Sequence, residues 1–433
     1  MVKESTSYAI IVSLHENIDE ITLLAESINY EVIQSFIQHR AQPDVTTYIG
    51  KGKRNEIKEF IDESEDDIDA IIIDGQLKPS QWFLLEQFWK VPVYDRLRLI
   101  LTIFRDRADH KEARLQVRLA ELQYERPFVR ELIHRARSGE HPGLMAGGEY
   151  QVDDYYEMMK KQMKQIKEKL AHIRKQRTVR RHHRHHSGYF LVSLAGYTNA
   201  GKSSLLNVLT KEEVDVEDRL FSTLSTTTRK LSQSSVPILM TDTVGFIQRL
   251  PAWIIEAFHS TLEEIKDADV VVLVVDGSDP FHLFEQKVST SFNELLDLGV
   301  ENPVLVVLNK KDLMTEEELH SKTEFVKGFC AGRLFDVVSV SVRNQENLQL
   351  LINKILTLLP QLFRLHIHLP NTSETQSFIS WMHEYAEFEK ITYGEIVDLV
   401  IITHEQIKDK IVAKVIDSEG QVQSIDQLAP STF

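Results

Sequence analysis

Apolar positions along the chain follow two different periods, and the change between them marks out its organisation. Up to about residue 105, short apolar runs at Tyr8 to Leu14 and Ala70 to Asp74 alternate with helical patterns at Ile18 to Ile28, Lys53 to Ile61 and after Pro79. That alternation predicts a small α/β subdomain over residues 1–105. Strand signals then vanish. Leu115, Leu119 and Leu122 recur at helical spacing, and Val152, Tyr156, Met159, Met163, Ile166, Leu170 and Ile173 alternate steps of four and three. Such a heptad seam predicts that residues 106–187 form a long antiparallel helical hairpin. Its connection, Ser138 to Gly148, is rich in Gly and Pro and reads as a mobile loop.

Residues 188–360 return to strand–helix repeats, with apolar strands at 189–195, 236–241, 269–275, 303–308 and 336–340. They predict a mainly parallel sheet covered on both faces, with ligand at the carboxyl ends of the strands. Residues 361–433 read as a small α+β domain. Leu365 to Leu369 alternate, a helix runs from Ser373 to Glu389 with Ser373 and Gln376 spaced as a capping box, and β-rich runs follow at Ile396 to Thr403 and Ile411 to Ile416. This last part carries no catalytic constellation.

Bulk composition narrows the functional classes. The 433 residues are 42% hydrophobic and 27% charged, as in an ordinary globular protein, and the formal net charge of -15 argues against a surface coated for free nucleic acid. One cysteine, Cys330, precludes an internal disulfide, and no apolar run reaches the length of an export signal or a membrane span. A cytosolic protein is expected, as a monomer if the heptad seam closes within the chain. One segment runs against the overall charge: between Lys160 and His186 eleven Lys/Arg residues face a single acidic one, Glu168. It reads either as a solvated helix face or as a contact for a phosphate backbone. Its tail, Arg181 to His186, is rich in histidine, but the interleaved arginines disfavour a cation.

The chemistry concentrates in residues 188–360. Gly196-Tyr197-Thr198-Asn199-Ala200-Gly201-Lys202-Ser203 follows an apolar strand and opens an apolar helix that continues through Ser204. This is the context of a phosphate-binding loop. Glycines let backbone N–H groups turn around phosphate oxygens, Lys202 reaches the outer phosphates, and Ser203 offers a hydroxyl to Mg²⁺. Asp242-Thr243-Val244-Gly245 ends the next buried strand, where Asp242 is placed to hold Mg²⁺ through water and the Gly245 N–H to sense a γ-phosphate. Asn309-Lys310-Lys311-Asp312 ends a third strand. Asp312 is suited to accept from guanine N1–H and the 2-amino group, Lys310 to lie along the base, and Asn309 to tie this loop to the phosphate loop. Ser341-Val342-Arg343 offers a backbone N–H to the base O6. Leu220 to Arg229 supplies threonines for a switch that coordinates Mg²⁺ only with γ-phosphate present, Thr227 being favoured. Lys202, Thr227 and Gly245 are the candidates for catalysis, and Ser203, Thr227 and Asp242 for the metal.

These motifs together resemble a translation-factor-class P-loop GTPase, and specifically the HflX family. The likeness rests on residues 196–203, on Leu220 to Thr227 and on Asp242 to Ile247, and outside them on Tyr48 to Lys53 and Leu115 to Tyr124. It implies a GTPase that binds the large ribosomal subunit and its rRNA, acts in ribosome splitting, rescue or quality control, and uses its helical arm at the peptidyl-transferase centre. It also implies an adenine-nucleotide (ATP) site at Tyr48 to Lys53, a stretch that reads equally as a tight turn opening a helix. The hairpin departs from the family at Ala146-Gly147-Gly148-Glu149, and Tyr156 and Glu157 stand where arginines are usual. Phe246 occupies the place of the water-positioning glutamine of Ras-like enzymes, which implies slow intrinsic turnover completed by a partner or a cation. Asn199 resembles the loop residue of potassium-using relatives. Two other readings fit the motifs less fully: an ATP-driven RNA remodeller and a GTP-timed ribosome assembly chaperone.

Overall fold

The computed structural model describes residues 7–428 apart from 41, 66, 138–147, 187–189, 211–226, 232–237, 244, 247–252, 255–263, 330–334 and 384–385. The expected hairpin loop, the span Leu220 to Thr226, Val244 and Cys330 lie outside the described residues. The chain falls into two compact units, one drawn chiefly from Met1–His172 and the other from Ile173–Val216, Thr226–Ile247 and Ser260–Phe433.

The first unit opens with β1 (Ser7–Ser13), α1 (Asp19–Glu26), β2 (Tyr30–Ile37), α2 (Lys51–Glu63), β3 (Ile68–Ile73), α3 (Pro79–Trp89), β4 (Val93–Asp95) and α4 (Arg96–Arg107). Its four strands form a parallel sheet in the order β2-β1-β3-β4. Ile10, Val12, Ile71 and Ile73 are wholly buried, which is why β1 and β3 read from sequence as continuous apolar runs. β2 and β4 escaped that reading: β2 is only partly buried and carries Glu31, Gln34 and Ser35, and β4 has three residues. Tyr48 takes a left-handed φ of 62° and its hydroxyl donates to the Asp74 carbonyl at 3.3 Å, so the Tyr48–Lys53 segment turns tightly into α2.

Two longer helices follow, α5 (Lys111–Arg137) and α6 (Gly148–His186), the latter belonging to this unit as far as His172. Leu119, Leu122, Val129, Ile133, Met159, Met163 and Ile166 form one buried cluster, with Leu115, Tyr156 and Leu170 against it. Tyr156, Met159, Met163, Ile166 and Leu170 of the expected heptad seam are therefore on the packing surface, whereas Ile173 is not part of this cluster and the Val152 side chain lies outside the described residues. A buried carboxylate fastens α5 to the sheet. Asp95 caps α4 by accepting from Arg98 N at 2.8 Å, accepts from Leu77 N at 3.1 Å, and takes the Tyr124 hydroxyl at 3.0 Å. Burial pushes the Asp95 carboxyl upward against the pull of these donors.

The second unit contains β5 (Phe190–Ala195), α7 (Lys202–Thr210), β6 (Thr227–Lys230), β7 (Ile238–Asp242), β8 (Val270–Asp276), α8 (Phe281–Asp297), β9 (Val304–Asn309), α9 (Glu316–Phe329), β10 (Phe335–Ser339) and α10 (Leu348–Leu358). The strands pair as β10-β9-β8-β5-β7-β6, parallel except for the antiparallel edge strand β6, which the sequence reading had treated only as part of a switch. All five expected strands are present, so Ala195, Asp242, Asp276, Asn309 and Ser339 stand at one end of the sheet.

A second sheet follows: β11 (Leu362–Pro370), α11 (Ser373–Met382), β12 (Ala386–Thr392), β13 (Ile396–His404), α12 (Glu405–Asp417) and β14 (Gln421–Leu428), with strand order β12-β13-β11-β14, all antiparallel. Three expectations are corrected here. The helix ends at Met382, and Ala386–Thr392 is a strand. Its cap is Thr372, which accepts from Thr375 N at 3.2 Å, and not a box at Ser373. Ile411 to Ile416 is helical, with Ile411 and Val415 buried one turn apart, so a β-branched run that favours strand locally is overruled by its packing. Leu362, Ile402 and Leu428 join the core of the larger sheet, and the two sheets share one apolar cluster.

Tyr124→Phe removes one of three donors from the buried Asp95 and should destabilise the first unit by about 1–3 kcal/mol. Urea unfolding followed by the near-ultraviolet signal of Trp82 and Trp89 measures this, and a change below about 0.5 kcal/mol would show that Asp95 is satisfied without it.

Candidate functional site

Between the end of β5 and the start of α7 six residues reverse the chain, and the geometry shows why glycine stands at two of them. Gly196 has a φ of +133°, and a Cβ there would lie 2.1 Å from the Val274 carbonyl oxygen. Gly201 has a φ of +92°, and its Cβ would lie 2.2 Å from Asn309 Nδ2. Asn199, exposed, also takes a positive φ, 62°. The loop is clamped by the segment that follows β7: Phe246 N donates to Gly196 O at 2.9 Å and Thr198 N to Phe246 O at 3.1 Å. The Phe246 ring is buried edge-on against Tyr197, so it is packing and offers no acid or base.

Lys202 and Ser203 open α7. Lys202 is buried, with Nζ donating to the Tyr197 carbonyl at 2.7 Å. Desolvation lowers its pKa to about 8, against the raising effect of Asp242. Ser203 Oγ donates to Asp242 Oδ2 at 2.6 Å, which brings the two expected metal-binding oxygens of these residues together. Ser204 lies half-buried in the same turn. Thr243 Oγ1 donates to Leu194 O at 2.7 Å and so fastens β7 to β5 rather than facing the loop. Gly245 fits closely: a Cβ there would meet Thr198 Cγ2 at 2.8 Å and Lys202 Nζ at 2.9 Å. The backbone of Thr227 pairs with Asp242 at the start of β6.

At the other end of the site, Asn309 is buried, and Nδ2 donates to Ala200 O at 2.9 Å while Oδ1 accepts from Val342 N at 3.3 Å. Lys310, at a φ of 61°, pairs with Asp276 at 2.5 Å. Asp312 Oδ1 accepts from Ser341 Oγ at 2.5 Å. Of the three residues expected to offer a backbone N–H to the base, Ser341 and Val342 use theirs inside the protein, on Glu346 O at 3.4 Å and on Asn309, while Arg343 completes the loop. The phosphate loop, Asp242, Asn309, Asp312 and Ser341 thus gather at the carboxyl ends of β5, β7, β9 and β10.

Comparison with known proteins now has a geometry to attach to. Three family models match in succession: a GTP-binding GTPase N-terminal region over residues 15–105, a GTP-binding GTPase middle region over 107–184, and a 50S ribosome-binding GTPase over 191–310. GTPase HflX of Thermococcus kodakarensis is 39% identical over 378 residues, which cover 86% of this chain and 85% of the relative. The chain belongs to the HflX family of GTPases. GTPase HflX of Methanocaldococcus jannaschii is 38% identical, covering 86% of this chain and 89% of the relative. Among solved structures, a crystal structure of SsGBP in complex with GDP superposes with a TM-score of 0.51 at 28% identity, over 82% of this chain and 98% of that one. This HflX protein is therefore a GTPase, which binds guanine nucleotide and hydrolyses GTP.

Two residues of this HflX site were not singled out from sequence. Asp276, the last residue of β8, holds Lys310; its position just before Gly277 was the available signal. Lys322 on α9 is buried and donates to the carbonyls of Gly277 and Asp279 at 2.6 and 2.8 Å. Nothing in an exposed-looking helix pattern marks it.

Lys202 carries a pH signature. Unfolded, a lysine titrates near about 10.4. Folded and nucleotide-free, Lys202 titrates at about 8. Its burial cost stands in full below the folded value and is relieved as pH rises from there towards the unfolded one. Relative to Lys202→Met, the wild-type protein should gain on the order of 1–3 kcal/mol between about pH 7.5 and 9.5 in urea unfolding without nucleotide. A pH-independent difference would remove the assigned cause.

Proposed function

We propose that this HflX-family GTPase acts as a Mg²⁺-dependent switch on the large ribosomal subunit, with the residues gathered at the sheet's carboxyl ends as its nucleotide site. The observation that carries the reading is the double tie of Asn309, which joins a phosphate loop to a base-reading loop at the right end of the sheet. The phosphate loop would cradle the phosphates, with Lys202 supplying countercharge. Ser203 and Asp242 offer hard oxygen donors already within 2.6 Å of each other, which suits Mg²⁺. They would hold the ion, Ser203 directly and Asp242 through water, and Thr227 would join them in the GTP state. Bound there, Mg²⁺ neutralises charge on the β- and γ-phosphate oxygens. Gly245 would sense the γ-phosphate, its tight fit against Lys202 explaining why no side chain is tolerated there.

Asp312 would read the guanine N1–H and 2-amino group, exchanging its bond to Ser341 for the base or sharing it. Since Phe246 is packing, hydrolysis in this reading needs a partner, with K⁺ near Asn199 as an added component. The ribosomal partner is supported by the family's description as a 50S ribosome-binding GTPase and by exposed Lys161, Lys164, Lys167 and Lys169 along α6, charges suited to an rRNA backbone. Ribosome splitting or rescue in the cytosol is the proposed setting; no described helix is long and apolar enough to cross a membrane.

Asp312→Asn should reverse the base preference from GTP to XTP while leaving the circular dichroism unchanged; a variant that still prefers GTP refutes the base assignment. Co-sedimentation with purified subunits should retain the protein on large subunits in a non-hydrolysable GTP analogue and release it in GDP, and turnover in K⁺ should rise by about tenfold or more when large subunits are added. Equal retention in both nucleotides, or fast turnover of the bare protein in Na⁺, would argue against the switch.

A further inference from the structure

The C-terminal sheet carries a side-chain cluster that the GTPase site does not use. Along β11, Leu365, Ile367 and Leu369 are wholly buried in the apolar core with residues of α11 and α12, so His366 and His368 stand on the opposite face. β13 runs antiparallel with His368 opposite Asp398 and His366 opposite Val400, which puts Asp398 on that same face. Its Oδ1 lies 2.7 Å from His366 Nε2 and 3.1 Å from His368 Nε2. The rings stand edge to face with centroids 5.2 Å apart, and the three side chains are 30–39% exposed, open to solvent on one side. Beyond His368, Gln423 of β14 reaches Nδ1 at 3.1 Å.

We infer that His366, His368 and Asp398 form a site for a divalent transition-metal cation of the Zn²⁺ type. The three ligand atoms lie within 4.8 Å of one another. Two ligands of a tetrahedral Zn²⁺ at its usual bond lengths are about 3.3 Å apart, so the Asp398–His366 and Asp398–His368 separations of 2.7 and 3.1 Å open slightly when a cation enters. Two imidazoles and one carboxylate select a metal that accepts nitrogen over Mg²⁺, which prefers oxygen and keeps its waters. The backbone fixes the set in advance, because β11 is an inner strand hydrogen-bonded to β13 on one side and β14 on the other.

Gln423 supplies the outer partner. Metal on Nε2 of His368 requires the ring proton on Nδ1, and a half-turn of the Gln423 amide presents Oε1 to accept it. The fourth position is left to water from the open side. The bound cation would cross-link β11 to β13 and stabilise the sheet by mass action.

The test must separate this cluster from the histidine-rich run at 182–186, which takes the same probes. The full-length protein carrying H182N, H183N, H185N and H186N, saturated with Mg²⁺ and GDP, is titrated with Zn²⁺ by calorimetry and with Co²⁺ by visible absorption. The expected result is one equivalent bound, with a ligand-field band and a higher melting temperature in Zn²⁺. His366→Gln with His368→Gln should abolish that equivalent, Asp398→Asn should do so independently, and Gln423→Ala should weaken it about tenfold. Unchanged GDP affinity in the variants certifies the fold. No equivalent in the starting protein, or stoichiometry and spectrum that survive the substitutions, overturns the site and leaves a plain histidine–aspartate charge cluster.

Discussion

One buried carboxamide organises the proposed nucleotide site. Asn309 donates to the carbonyl of Ala200 and accepts from the N–H of Val342, so three loops leaving β5, β9 and β10 are tied through a single side chain. Gly201 is glycine because that amide already fills the space its Cβ would need. A buried amide whose partners are lost costs about 1–3 kcal/mol, so the three loops are held in one arrangement or the site loses its geometry altogether. Distances between the phosphate end and the base end are thereby set by the sheet and not by the loops.

The two ends treat charge differently. At the proposed base end three lysines have partners: Lys310 rests on Asp276, Lys311 on Glu346, and Lys322 on the carbonyls of Gly277 and Asp279. That end is a rigid frame. At the phosphate end, among the described residues, a carbonyl and the influence of Asp242 hold the charge of buried Lys202, and desolvation lowers its pKa to about 8. Burying a positive charge is costly without an opposing one, and under the proposed function a bound phosphate would offset that cost. Ser203 and Asp242 meanwhile satisfy each other across 2.6 Å.

The C-terminal sheet is joined to the GTPase sheet by shared core. Leu362, Ile402 and Leu428 belong to the cluster that contains Val192, Leu206 and Val340. The same β11 and β13 that contribute to this seam carry His366, His368 and Asp398 further along the pair, so a cation bound there would stiffen strands that are continuous with the seam. In the first unit the analogous fastening is polar: Tyr124 of α5 on the buried Asp95.

The sequence alone determined the strands that are buried on both sides and the order of the nucleotide motifs, because a parallel strand needs an unbroken apolar run and a phosphate loop needs its residues consecutively. It also determined the seam between α5 and α6, since heptad spacing is local. Only the tertiary structure decided the edge strands β2 and β6, whose exposed faces carry no apolar signature, and the helical state of Ile411 to Ile416, where burial against a sheet overrides local preference. Lys322 and the His366–His368–Asp398 cluster were likewise hidden, because their partners lie 45 and 32 positions away in sequence. Period and motif are properties of neighbours along the chain, whereas a buried charge or a shared ligand is a property of neighbours in space.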